Sequence, residues 1–354
     1  MMSASALIIC IKEDSLIHRE PHPTKSDSVA SDLQYFRDMK KRIKKTCYSG
    51  IGGQAVLEGI MMKNKDMYSV AVRTPDGDID VSVEEYESFA PSKALTRIPF
   101  IRGVFNFIDS LILGIRTLNY SASFYEEEQD THKKDKILDR IFKDHTEKVL
   151  SVVTVIFSMA IAIGLFVLAP YYLSRLLSSV IVSDTAIAIA EGILRVIIFV
   201  GYIVLISCMK DIRRVFMYHG AEHKCINCIE SGHELSVENV RKASREHKRC
   251  GTSFLFFVVF ISVILFIFIR VDEPVARVAV RILLIPVIAS ISYEIIRMAG
   301  RSDNIIIKIL SAPGMWLQRL TTREPDDSMI EVGIAAVEAV FDWRQFLGNN
   351  TDEL

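Results

Sequence analysis

The sequence predicts an α-helical polytopic membrane protein with about four transmembrane helices and a small cytoplasmic β-containing domain near its N-terminus. Half of its 354 residues are apolar although 24% are charged, so the apolar residues must be concentrated in blocks. Several blocks are long enough to cross a hydrocarbon core of about 30 Å. Short β-like runs that precede the first block predict the β-containing domain.

Charge and cysteine content narrow the classes of function. Lys plus Arg number 42 and Asp plus Glu number 43, so the net charge gives no support for a nucleic-acid partner, and we expect none. The six cysteines are too sparse for the disulfide framework of a small secreted domain. Three of them lie near a group of histidines, which favours a reducing compartment and metal ligation. The sequence leaves the oligomeric state open.

The N-terminal part divides into two predicted regions. Residues 1–48 are polar and end in a basic run, which predicts a disordered tail whose basic end meets either an anionic membrane surface or solvent. Residues 49–95 form the predicted β-containing domain. Within it, the runs 68–73 and 79–83 are separated by turn-forming residues at 74–78, which predicts a hairpin.

Residues 96–147 are predicted to form interfacial amphipathic and charged helices. The run 98–118 is apolar but contains three charged residues, which favours a helix lying in the interface or packed on the bundle over one that spans. The stretch 126–148 is highly charged and is predicted to be a helix that leads into the membrane region.

Residues 148–300 are predicted to hold the four-helix transmembrane region. The fourth candidate span is the weakest, since it contains three charged residues and Pro286, which is expected to kink it. The four predicted spans are 149–169, 192–209, 254–269 and 275–296.

The loops predict the topology. Lys and Arg are concentrated before the first span, in the His/Cys loop 210–253 and after the fourth span, which places both termini and this loop in the cytoplasm. The C-terminal segment 301–354 contains a helix-like apolar periodicity, with Asp326, Asp327 and Ser328 as its predicted cap.

The strongest chemical signal is the H-x-x-E-H pattern of residues 219–223. In a helix, this spacing puts both imidazoles on one face with a carboxylate beside the second. We therefore predict His219 and His223 as metal ligands and Glu222 as a general base. If the second span continues as one helix past Met209, His219 lies about 15 Å further along its axis, at the membrane surface.

Two histidines do not complete a zinc site, so a third ligand is required. His247 and Cys250 immediately precede the third span and return to the same surface. A helix that begins after Ser236, extends to about His247 and stops at Gly251 would orient both side chains.

Glu294 is a different candidate for the third ligand, because peptidases with H-x-x-E-H take theirs from a distant glutamate. The alternative is an ion pair between Glu294 and Arg297 on the same helix.

A closed structural zinc site is the competing prediction. Cys225 and Cys228 form C-x-x-C and, with His247 and Cys250, give a pattern typical of structural zinc. In that case, Cys228 is a ligand and the H-x-x-E-H histidines are polar packing residues or a second site.

The glycine-rich stretch 52–59 matches no dinucleotide or P-loop fingerprint. Its glycines allow close approach of the backbone to a ligand or loop, with Glu58 and Arg73 as nearby polar groups. A tight turn that opens the β-containing domain explains the same residues.

Several motifs resemble the YqhQ-like family, bacterial membrane proteins of unknown function that are sometimes described as predicted metal-dependent enzymes. The resemblance covers about residues 48–345 and implies functional roles for the histidine, glutamate and cysteine candidates named below. The motifs are Gly-Gly-Gln-Ala-Val-Leu-Glu-Gly-Ile-Met-Met at 52–62, Tyr-His-Gly-Ala-Glu-His-Lys at 218–224 and Arg-Cys-Gly-Thr-Ser-Phe-Leu at 249–255. The family motifs fall on His219, Glu222, His223, His247 and Cys250. The chain departs from the family at Cys225, where threonine is more usual, and this weakens the C-x-x-C alternative.

The predicted function is zinc-dependent hydrolysis of an amide or ester at the cytoplasmic surface of a bacterial inner membrane. Another divalent transition metal also fits the ligands. Membrane lipid is the expected partner, and the substrate is either lipid-linked or a membrane-proximal peptide. The alternatives are a non-catalytic scaffold with a structural zinc between the second and third spans, and a transporter.

Overall fold

The computed structural model describes residues 47–351 except 93–94, 127–145, 180, 182, 270, 272 and 301–303. The predictions for the tail 1–48 and the charged stretch 126–148 therefore fall almost entirely outside the described residues. The predicted fold class is confirmed. The described chain is mostly helical, with four helices long and apolar enough to cross a membrane and a small antiparallel sheet near the N-terminus.

The sheet has four strands in the order β1-β2-β3-β4, and each neighbouring pair is antiparallel. The predicted hairpin is confirmed as β3 and β4, with Gly77 at a φ of 94° in the turn between them. The strands are β1 Gly52–Val56, β2 Gly59–Asn64, β3 Met67–Arg73 and β4 Ile79–Glu85.

The helices are numbered in chain order within the described residues. The first eight bounds are α1 Ile101–Glu126, α2 Thr146–Ile163, α3 Ala169–Leu176, α4 Asp184–Ser207, α5 Lys210–Glu230, α6 Val237–Lys242, α7 Gly251–Phe268 and α8 Pro274–Leu283. The remaining bounds are α9 Ile285–Ala299, α10 Ile305–Thr321, α11 Asp327–Val340 and α12 Trp343–Thr351. A π-helical turn, Gly164–Leu168, joins α2 to α3.

Four stretches of these helices have the length and apolar composition of membrane spans. Pro286 lies in the first turn of α9, and the fourth span is divided just before it, at Leu284. This break is expected, because proline cannot donate a backbone hydrogen bond. Arg281 in that span donates to Glu191 of the second span at 2.8 Å, so this charge has a partner within the bundle. The spans are Val153–Leu176, Thr185–Ser207, Gly251–Phe268 and Val275–Ala299.

The second span ends where it was predicted to end, near Met209, and does not continue as one helix into the H-x-x-E-H motif, so the extension of about 15 Å along its axis does not apply. Helix α4 ends at Ser207, and Met209 has an extended backbone with ψ of 134°. A separate helix, α5, then begins at Lys210 and carries the motif. The chain can therefore change direction where it leaves the predicted membrane region.

Apolar side chains cover both faces of the sheet. Ile60, Met62 and Ala71 face a core that includes residues of α5 and α11. On the other face, residues such as Val70 pack with Leu113 of α1. The motif helix is thus fixed by the sheet and the C-terminal helix as well as by its connection to the second span.

The helix predicted from Ser236 to about His247 is shorter than expected. Ser236 caps α6 as predicted, but α6 ends at Lys242. Beyond it, backbone carbonyls accept hydrogen bonds from side chains of α5; for example, the Ser244 and Glu246 carbonyls accept from Asn227. These carbonyls therefore accept tertiary hydrogen bonds and not the backbone hydrogen bonds of a helix. Gly251 is the first residue of α7 and does not end α6.

The C-terminal helix and its cap are confirmed. The Asp326 carboxylate accepts from the backbone N–H of Met329 at 2.9 Å and begins α11.

Helix α1 is not among the four candidate spans of the described chain. Its first turn packs closely on α9, because a Cβ at Gly103 would lie 2.8 Å from the Ser290 Cα. Further along, α1 exposes Ile112, Ile115 and Leu118. A location in the membrane interface stays a prediction.

Candidate metal centre

The H-x-x-E-H motif is helical, as predicted, and lies in the buried part of α5. Glu222 and His223 are 4% and 1% exposed, and the His219 and His223 ring centroids are 4.4 Å apart. The i, i+4 spacing therefore places both imidazoles on one face.

Two backbone carbonyls orient the imidazole rings. The Nδ1 atom of His219 lies 2.8 Å from the Thr321 carbonyl oxygen, and that of His223 lies 2.6 Å from the Arg245 carbonyl oxygen. Since a carbonyl oxygen only accepts, each Nδ1 carries a proton, and Nε2 is the ring nitrogen that can bind a metal once its own proton is lost. This is the arrangement that outer-shell partners impose on metal-binding histidines.

Cys250 completes a group of three potential ligands. Its Sγ atom lies 3.2 Å from Nε2 of His219. One donor atom from each of His219, His223 and Cys250 lies within 4.8 Å of the others, and the described residues contain no second such group of three. Cys250 also caps the N-terminus of α7, where its sulfur accepts from the Thr252 N–H at 3.3 Å and the helix dipole favours a thiolate.

The electrostatics of the group favour a thiolate beside a protonated imidazole when no metal is bound. Burial lowers the pKa of His219, but the Cys250 thiolate and the Glu222 carboxylate outweigh this effect and raise the pKa to about 9. Burial raises the pKa of Cys250, but the two histidines outweigh it and hold the pKa well below its ordinary value. A metal cation would take the place of the protons that bridge these donors.

Glu222 faces the same space as the ligands. One of its carboxylate oxygens lies 3.9 Å from Nε2 of His219 and 3.8 Å from Nε2 of His223. A Cβ at Gly53 would lie only 2.7 Å from Cγ of Glu222, so strand β1 can approach the motif because it carries glycine there. Close backbone approach thus explains Gly53. A turn explains Glu58, which has a φ of 48° between β1 and β2 and pairs with Arg214 of α5.

His247 lies beside the group, but its ring is directed elsewhere. The centroids of the His223 and His247 rings are 5.6 Å apart, whereas Nε2 of His247 lies 3.7 Å from Glu230. The Gln318 side chain accepts from the His247 N–H and donates to its carbonyl, each at 2.8 Å. His247 therefore supports the segment that leads to Cys250.

The two remaining candidate ligands also have other partners. The Cys228 thiol donates to the Glu234 carbonyl at 3.4 Å, so C-x-x-C does not gather with Cys250 into a second group among the described residues. Glu294 accepts from Arg102 of α1 through both carboxylate oxygens and joins α1 to the fourth span. Arg102, rather than Arg297, is thus its ion-pair partner.

The carbonyls of Thr321 and Arg245 are functional groups that sequence reasoning missed. Every residue carries a carbonyl, so a sequence contains no signal for those that orient a ligand. A Cβ at Gly220 would lie 2.0 Å from the Arg323 carbonyl oxygen, which explains the glycine inside the motif. It lets the segment after α10 reach His219.

The fold and the site together define a polytopic membrane protein with a His/Cys group of metal-binding type where the second and third spans meet the adjoining sheet-containing region. The chain belongs to the DUF1385 family, described as "Protein of unknown function", which matches residues 98–343. It is 35% identical over 288 residues to "Uncharacterized protein YqhQ" of Bacillus subtilis (strain 168), and the match covers 80% of this chain and 89% of that protein. The YqhQ-like resemblance is thereby confirmed. No solved structure matches the chain.

Metal affinity is expected to rise with pH. At pH 7, His219 in the metal-free protein holds a proton because its pKa is raised to about 9, and an incoming cation must displace it. Against the effect of burial, the Cys250 thiolate and the Glu222 carboxylate also raise the pKa of His223, so the apparent affinity should increase at least about tenfold per pH unit as the pH approaches about 9. Cobalt titrations of the detergent-purified protein between pH 6.5 and 8.5, followed by absorbance, measure this slope. A pH-independent affinity would contradict the assignment of His219 as a ligand.

Proposed function

We propose that this chain is a zinc-dependent hydrolase that cleaves an amide or ester at a membrane surface. The observation that carries the proposal is the position of Glu222, whose carboxylate oxygen is nearly equidistant from the Nε2 atoms of His219 and His223. Three protein ligands with a buried carboxylate beside them are typical of catalytic zinc, where a fourth position is kept for water or substrate. Another divalent transition metal would suit the same donors.

Each residue has a separate task in the proposed reaction. His219, His223 and Cys250 hold the ion, while the carbonyls of Thr321 and Arg245 keep the rings in position. A bound zinc ion supplies Lewis acidity and lowers the pKa of water towards about 7. Glu222 accepts the proton of the attacking water and delivers it to the leaving group.

The membrane and the orientation are part of the proposal. Four apolar helices make the chain a membrane protein. The basic loops support a bacterial cytoplasmic membrane with both termini and the metal centre on the cytoplasmic side. A substrate that is lipid-linked, or a peptide close to the membrane, would reach a site next to the first residue of the third span.

A structural zinc site in a non-catalytic scaffold is the second candidate. It is favoured by the burial of Glu222, which is 4% exposed and close enough to both histidines to act as a fourth ligand. The group also joins α5 to the segments around Cys250 and Thr321, as a structural ion would do. A closed set of four protein ligands leaves no position for a substrate.

The substitution Glu222→Gln separates the two candidates. For the hydrolase, we expect the zinc content to stay near that of the wild type, while hydrolysis of p-nitrophenyl acyl esters in detergent falls by about 10²–10⁴-fold through loss of the base. Glu238→Gln is the matched control, since Glu238 is exposed on α6. Loss of zinc in Glu222→Gln would favour the scaffold, and full esterase activity of this variant would contradict the proposed mechanism.

A further inference from the structure

An apolar cavity lies between the second span, the third span and helix α10. Its volume is about 190 Å³, and every residue that lines it is apolar. The residues that matter most are Phe199 and Val200 on α4, Phe256 and Val259 on α7, and Trp316 and Leu317 on α10.

The cavity is close to the candidate metal centre, on its membrane side. Phe256 follows Cys250 by six residues, or about 9 Å along α7. On α10, Leu317 precedes Thr321 by one turn, and the Thr321 carbonyl holds His219. The α4 and α7 walls belong to candidate membrane spans and lie roughly 8–16 Å from the span ends nearest the metal centre.

The lining selects the kind of group that fits. An apolar cavity gives water no hydrogen-bond partners, so it favours a hydrocarbon occupant. Its volume is below the roughly 300–1,000 Å³ of pockets that enclose drug-sized ligands, which favours a slender group. Trp316 borders the cavity and is 54% exposed, so this wall faces the surroundings of the bundle, where the predicted bilayer supplies acyl chains.

We propose that this cavity binds the acyl chain of a lipid substrate and thereby directs the adjacent ester or amide towards His219, His223 and Cys250. The substrate class is then an acylated membrane lipid and not a peptide. The role of the lipid as a substrate rests on the proposed hydrolase function. Binding of the acyl chain can be measured independently of that function. The cavity and the metal centre share α7, along which Phe256 and Cys250 are about 9 Å apart, and this spacing is what the inference rests on.

The test uses the fluorescence of Trp316. The chain has two tryptophans, and Trp343→Phe leaves Trp316 as the only one. A lysophospholipid with a brominated acyl chain is titrated into this variant in detergent, where bromine near the indole quenches its emission. We expect saturable quenching that a non-brominated lysophospholipid reverses by competition.

Two cavity-filling variants and one control decide the outcome. Val200→Phe and Val259→Phe fill the cavity from opposite walls, and each should weaken saturable binding by about tenfold or more. Ile197→Phe adds the same ring to α4 at a residue that is 60% exposed and outside the lining, and it should bind as the parent does. Thermal unfolding and zinc content show whether each variant is folded.

Non-saturable quenching, or equal binding by the folded cavity variants and the control, would overturn the inference. These results leave the metal-dependent hydrolase intact, because it is tested by zinc content and Glu222→Gln. Conversely, saturable acyl binding by a wild-type protein that holds no metal would support the cavity and refute the hydrolase. The two proposals therefore fail in distinguishable ways.

Discussion

Cys250→Ala is expected to abolish stoichiometric zinc binding. The thiolate is one of three donors in the group, and its Sγ atom lies 3.2 Å from Nε2 of His219. Removing an outer-shell partner of a ligand typically costs 10–100-fold in metal affinity, so we expect the loss of a ligand to cost more than about 100-fold. Elemental analysis of the detergent-purified protein, after dialysis against a mild chelator at neutral pH, measures the zinc remaining per chain.

Cys228→Ala is the matched control for this experiment. Cys228 is also buried and lies in the same region, but its thiol donates to the Glu234 carbonyl. Its removal should leave the zinc content unchanged. If Cys228→Ala loses zinc as Cys250→Ala does, the closed site of Cys225, Cys228, His247 and Cys250 is favoured. If Cys250→Ala keeps its zinc, the His219, His223 and Cys250 group is not the metal centre.

Gly220→Ala is expected to destabilise the protein and weaken metal binding together. The new Cβ would lie 2.0 Å from the Arg323 carbonyl oxygen. The backbone cannot retreat freely, because the Arg323 N–H donates to the Phe216 carbonyl at 2.8 Å and Thr321, two residues earlier, holds His219. Overpacking typically costs about 1–3 kcal/mol. The better helix propensity of alanine returns at most about 1 kcal/mol, so the clash should prevail.

Thermal unfolding in detergent and a zinc titration measure both effects. Gly201→Ala in α4 is the control, because nothing lies within 4 Å of its added Cβ. That variant should unfold at the parent temperature or slightly above it, because only the gain in helix propensity applies, and it should keep the zinc affinity. An unaltered unfolding temperature in Gly220→Ala would show that the segment after α10 does not pack on the motif as described.

Local patterns predicted much of the fold. The spans follow from length and apolar composition, which are properties of contiguous residues and need no tertiary information. The β3–β4 hairpin and the Asp326 cap follow from turn and capping chemistry within a few residues. The end of the second span near Met209 also follows from apolar composition, but whether the helix continues beyond it was left open because neither glycine nor proline marks a break there.

The candidate site was only partly predictable. The helical spacing of His219 and His223 is local, so the sequence by itself determined that both imidazoles share a face. It also restricted the third ligand to residues that return to the same end of the spans. Which of Cys250, His247 and Glu294 lies with the histidine pair is visible only in the tertiary structure, since it depends on side-chain direction across distant segments.

The sequence by itself thus determined that this chain is a membrane protein with a histidine pair on one helix face, because apolar length and helical period are local quantities. Only the tertiary structure decided that Cys250 joins the pair, that Gly53 lets the sheet reach Glu222 and that an apolar cavity lies beneath the group. Each of these depends on contacts between residues far apart in the chain, and such contacts are fixed by packing and not by spacing.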